Sequence, residues 1–299
     1  MRRSRLQAWL LYPLLVLVGA VWALPLFWML STSLKPESQA LSADVGLLPV
    51  VVDAEGAPRS ALEPAYWAEA AATAADNYTD VWTSPSADFP RYFRNSVLVA
   101  SLSTLGMTLS SAIVAYALAR LRWRGRQLVF GIVLATMTLP FTVLMAPQYL
   151  LFKHLGLIGT LVPLWLPAWF GGAFSIFLLR QFFLTLPKEL DEAAEIDGCG
   201  RWATFWRVLM PNAVPALATV ALLQFVASWN DFIAPLVFVN HQEQYTLALG
   251  LRMFQSQHGG TQWTELMAAS VLTTAPVLVL FVVCQRFFVQ GSASEGLKG

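Results

Sequence analysis

The chain has 299 residues, 57% of them hydrophobic and only 12% charged, with 12 tryptophans and a formal net charge of +1. Soluble domains carry about 25% charged residues, so this balance points to an integral membrane protein, and the near-neutral charge excludes nucleic acid as a bulk electrostatic partner. Cys199 and Cys284 lie far apart with no CxxC or Cys/His cluster nearby, which argues against a disulfide framework or a zinc site.

The N-terminus, MRRSRLQAWLLYPLLVLVGAVWALPLFWML, begins like a signal peptide with Arg2, Arg3 and Arg5. Its apolar run from Ala8 to Leu30 is longer than a signal h-region of about 7–15 residues and has no small-residue cleavage site. We read residues 1–30 as a short arm and a retained first span. Residues 31–94 then form an external insertion rich in Ala, Pro, Asp and Glu. Within it, Pro64 to Asn77 reads as a short helix opened by Pro64 and terminated by Asn77. Asn77-Tyr78-Thr79 matches a glycosylation sequon, a tripeptide common by chance.

Residues 95–299 read as the core transmembrane domain. A span needs about 20 mostly apolar residues, because only a helix satisfies its own backbone in lipid. With 8–30, the segments 95–118, 128–150, 158–179, 212–234 and 266–288 make six, none with Arg or Lys at its centre. The second carries Ser101, Thr104, Thr108 and Ser111 on one stripe, a pattern that favours close helix packing. Pro140 and Pro147 in the third, and Pro163 and Pro167 in the fourth, are expected to kink or unwind their helices. With the N-terminus inside, inside segments hold 13 Lys and Arg and outside segments six. LARLRWRGR after the second span is the strongest vote, so both termini are expected in the cytoplasm.

That orientation places residues 187–211, PKELDEAAEIDGCGRWATFWRVLMP, in the cytoplasm. Pro187 can open a helix, and Glu189, Asp191 and Glu192 complement its positive N-terminus. Lys188 and Glu192 are an i,i+4 pair in the less favourable order. Leu190, Ala193, Ala194 and Asp197 share one flank of little bulk. Gly198 permits a left-handed turn and Gly200 repeats the permission. Trp202, Phe205, Trp206 and Leu209 then recur at helical spacing until Pro211 ends the piece. An amphipathic segment lying on the bilayer is the alternative, but such segments usually carry Lys and Arg on the polar face, and this one carries carboxylates.

On the fifth span, Gln224, Ser228 and Asp231 recur at i, i+4 and i+7, with Trp229 and Asn230 beside them. Polar residues within spans tend to face the bundle interior or a water-filled cavity, and aromatic, amide and carboxylate groups suit a sugar. Helix–helix packing is the competing reading. The loop from Phe238 to Glu265, with LALGLRMF inside it, should lie outside. The tail GSASEGLKG is polar and Gly-rich, with the composition of a disordered end.

Glu192-Ala193-Ala194, three residues, Gly198, nine residues and Val208-Leu209-Met210-Pro211 resemble the EAA loop, EAA-x3-G-x9-I-x-LP, of ABC-importer permeases. Val208 for Ile and Met210 for Leu are mild departures. SWNDFIAPL (Ser228 to Leu236), FRNS (Phe93 to Ser96), NYTDVW before it and the EGLKG terminus narrow the resemblance to the smaller, six-span permease of the maltose-type carbohydrate importers. The segment from about Ala40 to Ala75 has no such match.

The resemblance implies an all-α, six-transmembrane-helix type I importer permease of the MetI-like class, in a bacterial cytoplasmic or inner membrane. It implies a heterodimer with a second permease, two ATP-binding subunits that hold ATP and Mg, and an external solute-binding protein that delivers a sugar. It also implies that Glu192, Ala193, Ala194, Asp197, Gly198 and Pro211 form the joint to the ATPase, and that the tail reaches that interface. Gln224, Ser228, Asn230 and Asp231 are the candidate substrate path. LALGLRMF resembles the family's short external element, a candidate contact for the binding protein.

No G-x-x-x-x-G-K-S/T, GxSxG or HExxH sequence occurs, so the chain has no P-loop of its own and no enzymatic motif; neither a cofactor nor a metal is expected in it. His154, His241 and His258 lie far apart on expected external segments. A standalone secondary transporter or channel is the alternative, which would call for inverted repeats or mid-membrane ionisable residues. Neither is seen.

Overall fold

The computed structural model describes residues 2–40, 46–52, 57–255 and 261–295, and the regular elements among them are helices. An isolated bridge joins Val52 and Pro58. The sequence expectations for His258 and for the last four residues of the tail fall outside the described residues.

In chain order the main helices are α1 (Arg2–Ser33), α2 (Pro64–Thr83), α3 (Phe89–Ala119), α4 (Arg126–Thr136) and α5 (Phe141–His154). There follow α6 (Ala173–Thr185), α7 (Glu189–Ile196), α8 (Val214–Trp229), α9 (Ile233–Phe238) and α10 (Trp263–Glu295). Among the described residues, four stretches are long and apolar enough to cross a membrane unaided: Leu11–Ser33, Phe89–Ala119, Val162–Thr185 and Trp263–Gln285. Six result if each of two bent pairs counts as one span.

The breaks follow proline chemistry. α4 and α5 meet at 99°, with Pro140 directly before α5 and Pro147 inside it. Pro167 stands at the start of a 3-10 stretch, Leu166–Phe170, and Gly171 (φ +81°) ends it before α6. The second bend, 79°, separates Arg201–Asn212 from α8. Just before it, Phe205–Leu209 adopt a π turn. Pro211 lacks an N–H and its ring crowds the carbonyl four residues back, and a π turn relieves that conflict. Pro211 therefore does not end the piece, which runs on to Asn212.

The chain divides into two compact units, residues 1–89 with 251–275 and residues 90–250 with 276–299. In the first, α2 runs six residues beyond the expected stop at Asn77. Asn77 is buried, and its Nδ2 donates to the carbonyls of Ser33 (2.9 Å) and Lys35 (2.8 Å). Its amide nitrogen, the atom a glycan would need, is therefore occupied. Glu37 accepts from the N–H groups of Trp263 and Thr264 and from the Thr264 hydroxyl, capping α10. The apolar side chains of α1 are mostly exposed, Trp22 at 80%, a surface that needs lipid or another chain to cover it.

The core of the second unit gathers Ala112, Ala115, Tyr116 and Ala119 of α3, Leu179 and Phe183 of α6, Phe205 and Leu209, and Ala216 and Val220 of α8. Small residues on α3 let its neighbours approach closely. The Ser/Thr stripe behaves unevenly: Ser111 is fully buried and its hydroxyl accepts from Gly172 N–H, whereas Ser101 is exposed. α6 also extends past the predicted end of the fourth span, which draws Arg180 inside it. Arg180 donates to the Leu118 carbonyl (3.3 Å) and sits 4.0 Å over the Phe130 ring, so its charge keeps a carbonyl and an aromatic face.

Candidate functional site

The acidic loop folds as a short helix, a tight turn and a second arm. α7 has three carboxylates in its first turn, Glu189, Asp191 and Glu192, placed where the helix dipole favours negative charge. It closes with two paired bonds: Cys199 N–H to the Ala194 carbonyl (2.8 Å) and Gly198 N–H to the Glu195 carbonyl (3.0 Å). That pattern needs a left-handed residue at Gly198, whose φ is +78°. Gly200 does not share the role, since its φ of −70° and ψ of 164° are extended.

Helical phase splits the EAA triplet. Glu192 and Ala193 are exposed and Ala194 is buried at 4%. The expected smooth flank therefore does not face one way, because Ala194 belongs to the chain's own core. Ile196 is 86% exposed one turn further along, beside exposed Asp197 and Gly198. The aromatic flank of the second arm divides likewise. Phe205 and Leu209 are wholly buried, while Trp202 (62%) and Trp206 (46%) point outward.

Two side chains absent from the sequence reading of the loop, Arg120 and Tyr116, hold it. Arg120 pairs with Asp191 at 2.9 Å and donates through Nη2 to the Leu186 carbonyl at 2.8 Å. One turn back, the Tyr116 hydroxyl donates to the Arg201 carbonyl at 3.1 Å, and its ring lies 5.1 Å from that of Phe205. The carboxylate that finds a buried cation is Asp191, not Glu192. The signal lay in LARLRWRGR, where Arg120 counted only towards topology. An open cleft of about 830 Å³ runs beside the loop, lined among others by Arg122, Arg126, Lys188, Asp191, Glu192 and Glu195. Its charges are interleaved in sign.

The fifth-span candidates separate. Gln224 and Ser228 are half-buried and one turn apart on α8. Asp231 is not on that helical face, because α8 ends at Trp229. Its carboxylate instead accepts from the Ala234 N–H at 3.1 Å, capping α9, and the Asn230 amide donates to the Val226 carbonyl at 2.9 Å. Asn230 and Asp231 thus shape a break between two helices. Trp229 is 1% exposed, stacked on Phe225 with ring centres 5.4 Å apart and edge-on to Phe93. A fully packed indole offers no face to a sugar. Among the described residues no three His, Cys, Asp or Glu side chains are placed to hold a metal, and His154 and His241 are exposed.

The family model described as the inner membrane component of binding-protein-dependent transport systems matches residues 107–293. The chain is 36% identical over 226 residues to the trehalose/maltose transport system permease protein of Thermococcus litoralis, covering 75% of this chain and 81% of the relative. It is 32% identical over 287 residues to the diacetylchitobiose uptake system permease protein of Streptomyces coelicolor, covering 95% and 87%. The sn-glycerol-3-phosphate transport system permease protein of Yersinia pestis is 34% identical over 220 residues, covering 72% and 78%. Among solved structures, a chain of a bacterial ABC transporter involved in the import of the acidic polysaccharide alginate has the same fold, with a TM-score of 0.78 at 24% identity over 96% of this chain and 98% of that one.

Proposed function

Because the chain belongs to the family of binding-protein-dependent transport inner membrane components, we propose that it forms half of the path through which an ATP-binding-cassette importer moves an oligosaccharide or disaccharide. Relatives named for trehalose/maltose, arabinooligosaccharides and diacetylchitobiose support a carbohydrate cargo. The permease is not itself an enzyme; hydrolysis belongs to a separate subunit. A solute-binding protein delivers the sugar, and a relative of the same fold was solved with a pentasaccharide-bound periplasmic protein. A second permease completes the path, and two ATP-binding subunits hold ATP and Mg. Both termini lie in the cytoplasm, on the strength of 13 of 19 basic residues in inside segments.

The observation that carries this reading is the exposed Glu192-Ala193 edge of α7, closed by left-handed Gly198. That edge seats in a groove of the ATPase, where a carboxylate makes a charge-assisted contact about twice as strong as a neutral one. The interleaved charges of the neighbouring cleft suit a protein surface better than an anionic lipid layer. ATP closes the ATPase dimer, the loop moves with it, and the permease pair switches access by rigid-body rotation. Gln224 and Ser228 line the path. Asn230 and Asp231 hold the helix break beside it.

The test is to purify the tagged chain from its native membrane in mild detergent, identify its companions by mass spectrometry and assay ATP hydrolysis. A second permease and a P-loop ATPase are expected, with the ATPase lost in Glu192→Lys. Recovery of the chain alone, transporting in liposomes without ATP, would establish a standalone transporter instead.

A further inference from the structure

The third helix is gripped at both ends. At its start, Asn95 Nδ2 donates to the Glu243 and Tyr245 carbonyls, both at 3.0 Å. The Ser96 hydroxyl accepts from the Leu247 N–H at 2.7 Å, and Gln242 Nε2 donates to the Tyr92 hydroxyl at 2.7 Å. Gly250 lies so close that an added Cβ would stand 2.3 Å from Tyr92 Cδ2. Residues 242–250 are thus fixed to the first turns of α3, mainly through their backbone. At the other end, Tyr116 and Arg120 hold both arms of the acidic loop, one through Arg201 and one through Leu186 and Asp191.

Between these grips α3 has no interior proline, whereas α1, α5 and α10 each contain at least one, and α4 with α5, like Arg201–Asn212 with α8, form sharply bent pairs. Its single interior glycine, Gly106, faces Trp169 with no room for a Cβ, the nearest ring atom being 2.4 Å away, so that point is packed and not hinged. From Asn95 to Arg120 the helix is about 37 Å long at 1.5 Å per residue. An unbroken helix of that length, pinned at each end to a different loop, can pass a displacement without absorbing it. Kinked and broken spans yield at their breaks.

We infer that α3 is the strut that carries movement of the α7 loop across the membrane to the 242–250 segment, with Asn95 and Ser96 as positioning residues at one end and Tyr116 and Arg120 at the other. The inference rests on the proposed coupling role of α7. In the importer the strut works both ways: a binding protein pressing on the 242–250 loop alters the seat of α7 on the ATPase, and closure of the ATPase shifts the outer loop.

The experiment uses the assembled transporter in lipid nanodiscs, with ATP hydrolysis measured alone and with the sugar-loaded binding protein. The unaltered complex first shows stimulation; its absence would overturn the coupling role of α7 and the strut together. With stimulation present, Asn95→Ala and Arg120→Ala should each lower the stimulated-to-basal ratio by about tenfold, within the usual range of coupling between sites. Asn95→Ala should leave basal hydrolysis and subunit recovery intact. The milder Ser96→Ala should move the ratio in the same direction. The double variant Asn95→Ala/Arg120→Ala should be no worse than the worse single, because both cut one transmission line. Equal loss of basal and stimulated rates in Asn95→Ala and Ser96→Ala, or a double variant whose loss is the product of the singles, would overturn the strut alone.

Discussion

Arg120, just past the last residue of α3, reaches the Asp191 carboxylate of α7 at 2.9 Å, with 7% of its own side chain exposed and 29% of the partner's. The pair ties α7 to the end of α3 at the residue next in sequence to the exposed Glu192. Asp191→Ala would leave a nearly enclosed guanidinium without its counter-charge. Solvent reaching Asp191 screens part of that loss, which we place at about 1–3 kcal/mol. Glu192→Ala should stay within about 0.5 kcal/mol, as surface changes do. Thermal unfolding of the two purified variants checks the contrast, and equal midpoints would show that Arg120 does not secure the loop.

Gly198 and Gly200 should part company on substitution. A Cβ meets nothing within 4 Å at either position, so only backbone conformation separates them. Gly198→Val forces a β-branched residue to φ near +78°, at about 1–2 kcal/mol, and should uncouple hydrolysis from sugar uptake. Gly200→Ala sits in an extended conformation and should transport normally. Uptake per ATP hydrolysed in the two variants decides it; unchanged coupling in Gly198→Val would show that the turn does not need its positive φ.

Trp229 and Gln224, five residues apart on α8, should fail in different ways. Trp229→Ala empties a site 1% exposed and should cost about 3–5 kcal/mol of stability. Gln224→Ala should fold normally and raise the half-saturating sugar concentration by about fivefold, the worth of a hydrogen bond of about 1 kcal/mol. Uptake curves beside thermal unfolding separate the two, and normal sugar affinity in Gln224→Ala would remove Gln224 from the path.

Gly106 should tolerate no side chain while Trp169 stands against it. Gly106→Ala should lower stability by about 1–3 kcal/mol through overpacking, and Trp169→Leu in the same chain should recover part of the loss. Additive losses in the double variant would place the strain elsewhere.

What the sequence disclosed and what it hid follow from the range of the interactions. The apolar runs are local, and composition alone found the four stretches long enough to cross a membrane unaided, together with Pro140 at the first bend. Gly198 was legible because a fixed spacing surrounds it. Gly200 was not, since glycine permits a left-handed turn without requiring one. Ala193 and Ala194 could not be separated without knowing which side of α7 the protein occupies, and that depends on Arg120, 71 positions before Asp191. Trp229 read as a sugar platform because an indole serves a core equally well. Asn77 read as a helix stop because its true partners, Ser33 and Lys35, lie more than forty residues earlier.

The central claim is that the exposed edge of α7 seats on the ATPase. Site-directed cross-linking in the assembled transporter tests it most directly, in a Cys199→Ser/Cys284→Ser background with a short bifunctional thiol–amine reagent. Ala193→Cys, exposed, should cross-link to the ATP-binding subunit and do so more strongly when ATP is added, while Ala194→Cys, buried within the permease, should not. A cross-link from neither position, with Ala193→Cys labelled instead by a lipid-phase reagent, would place α7 on the bilayer surface and contradict the account.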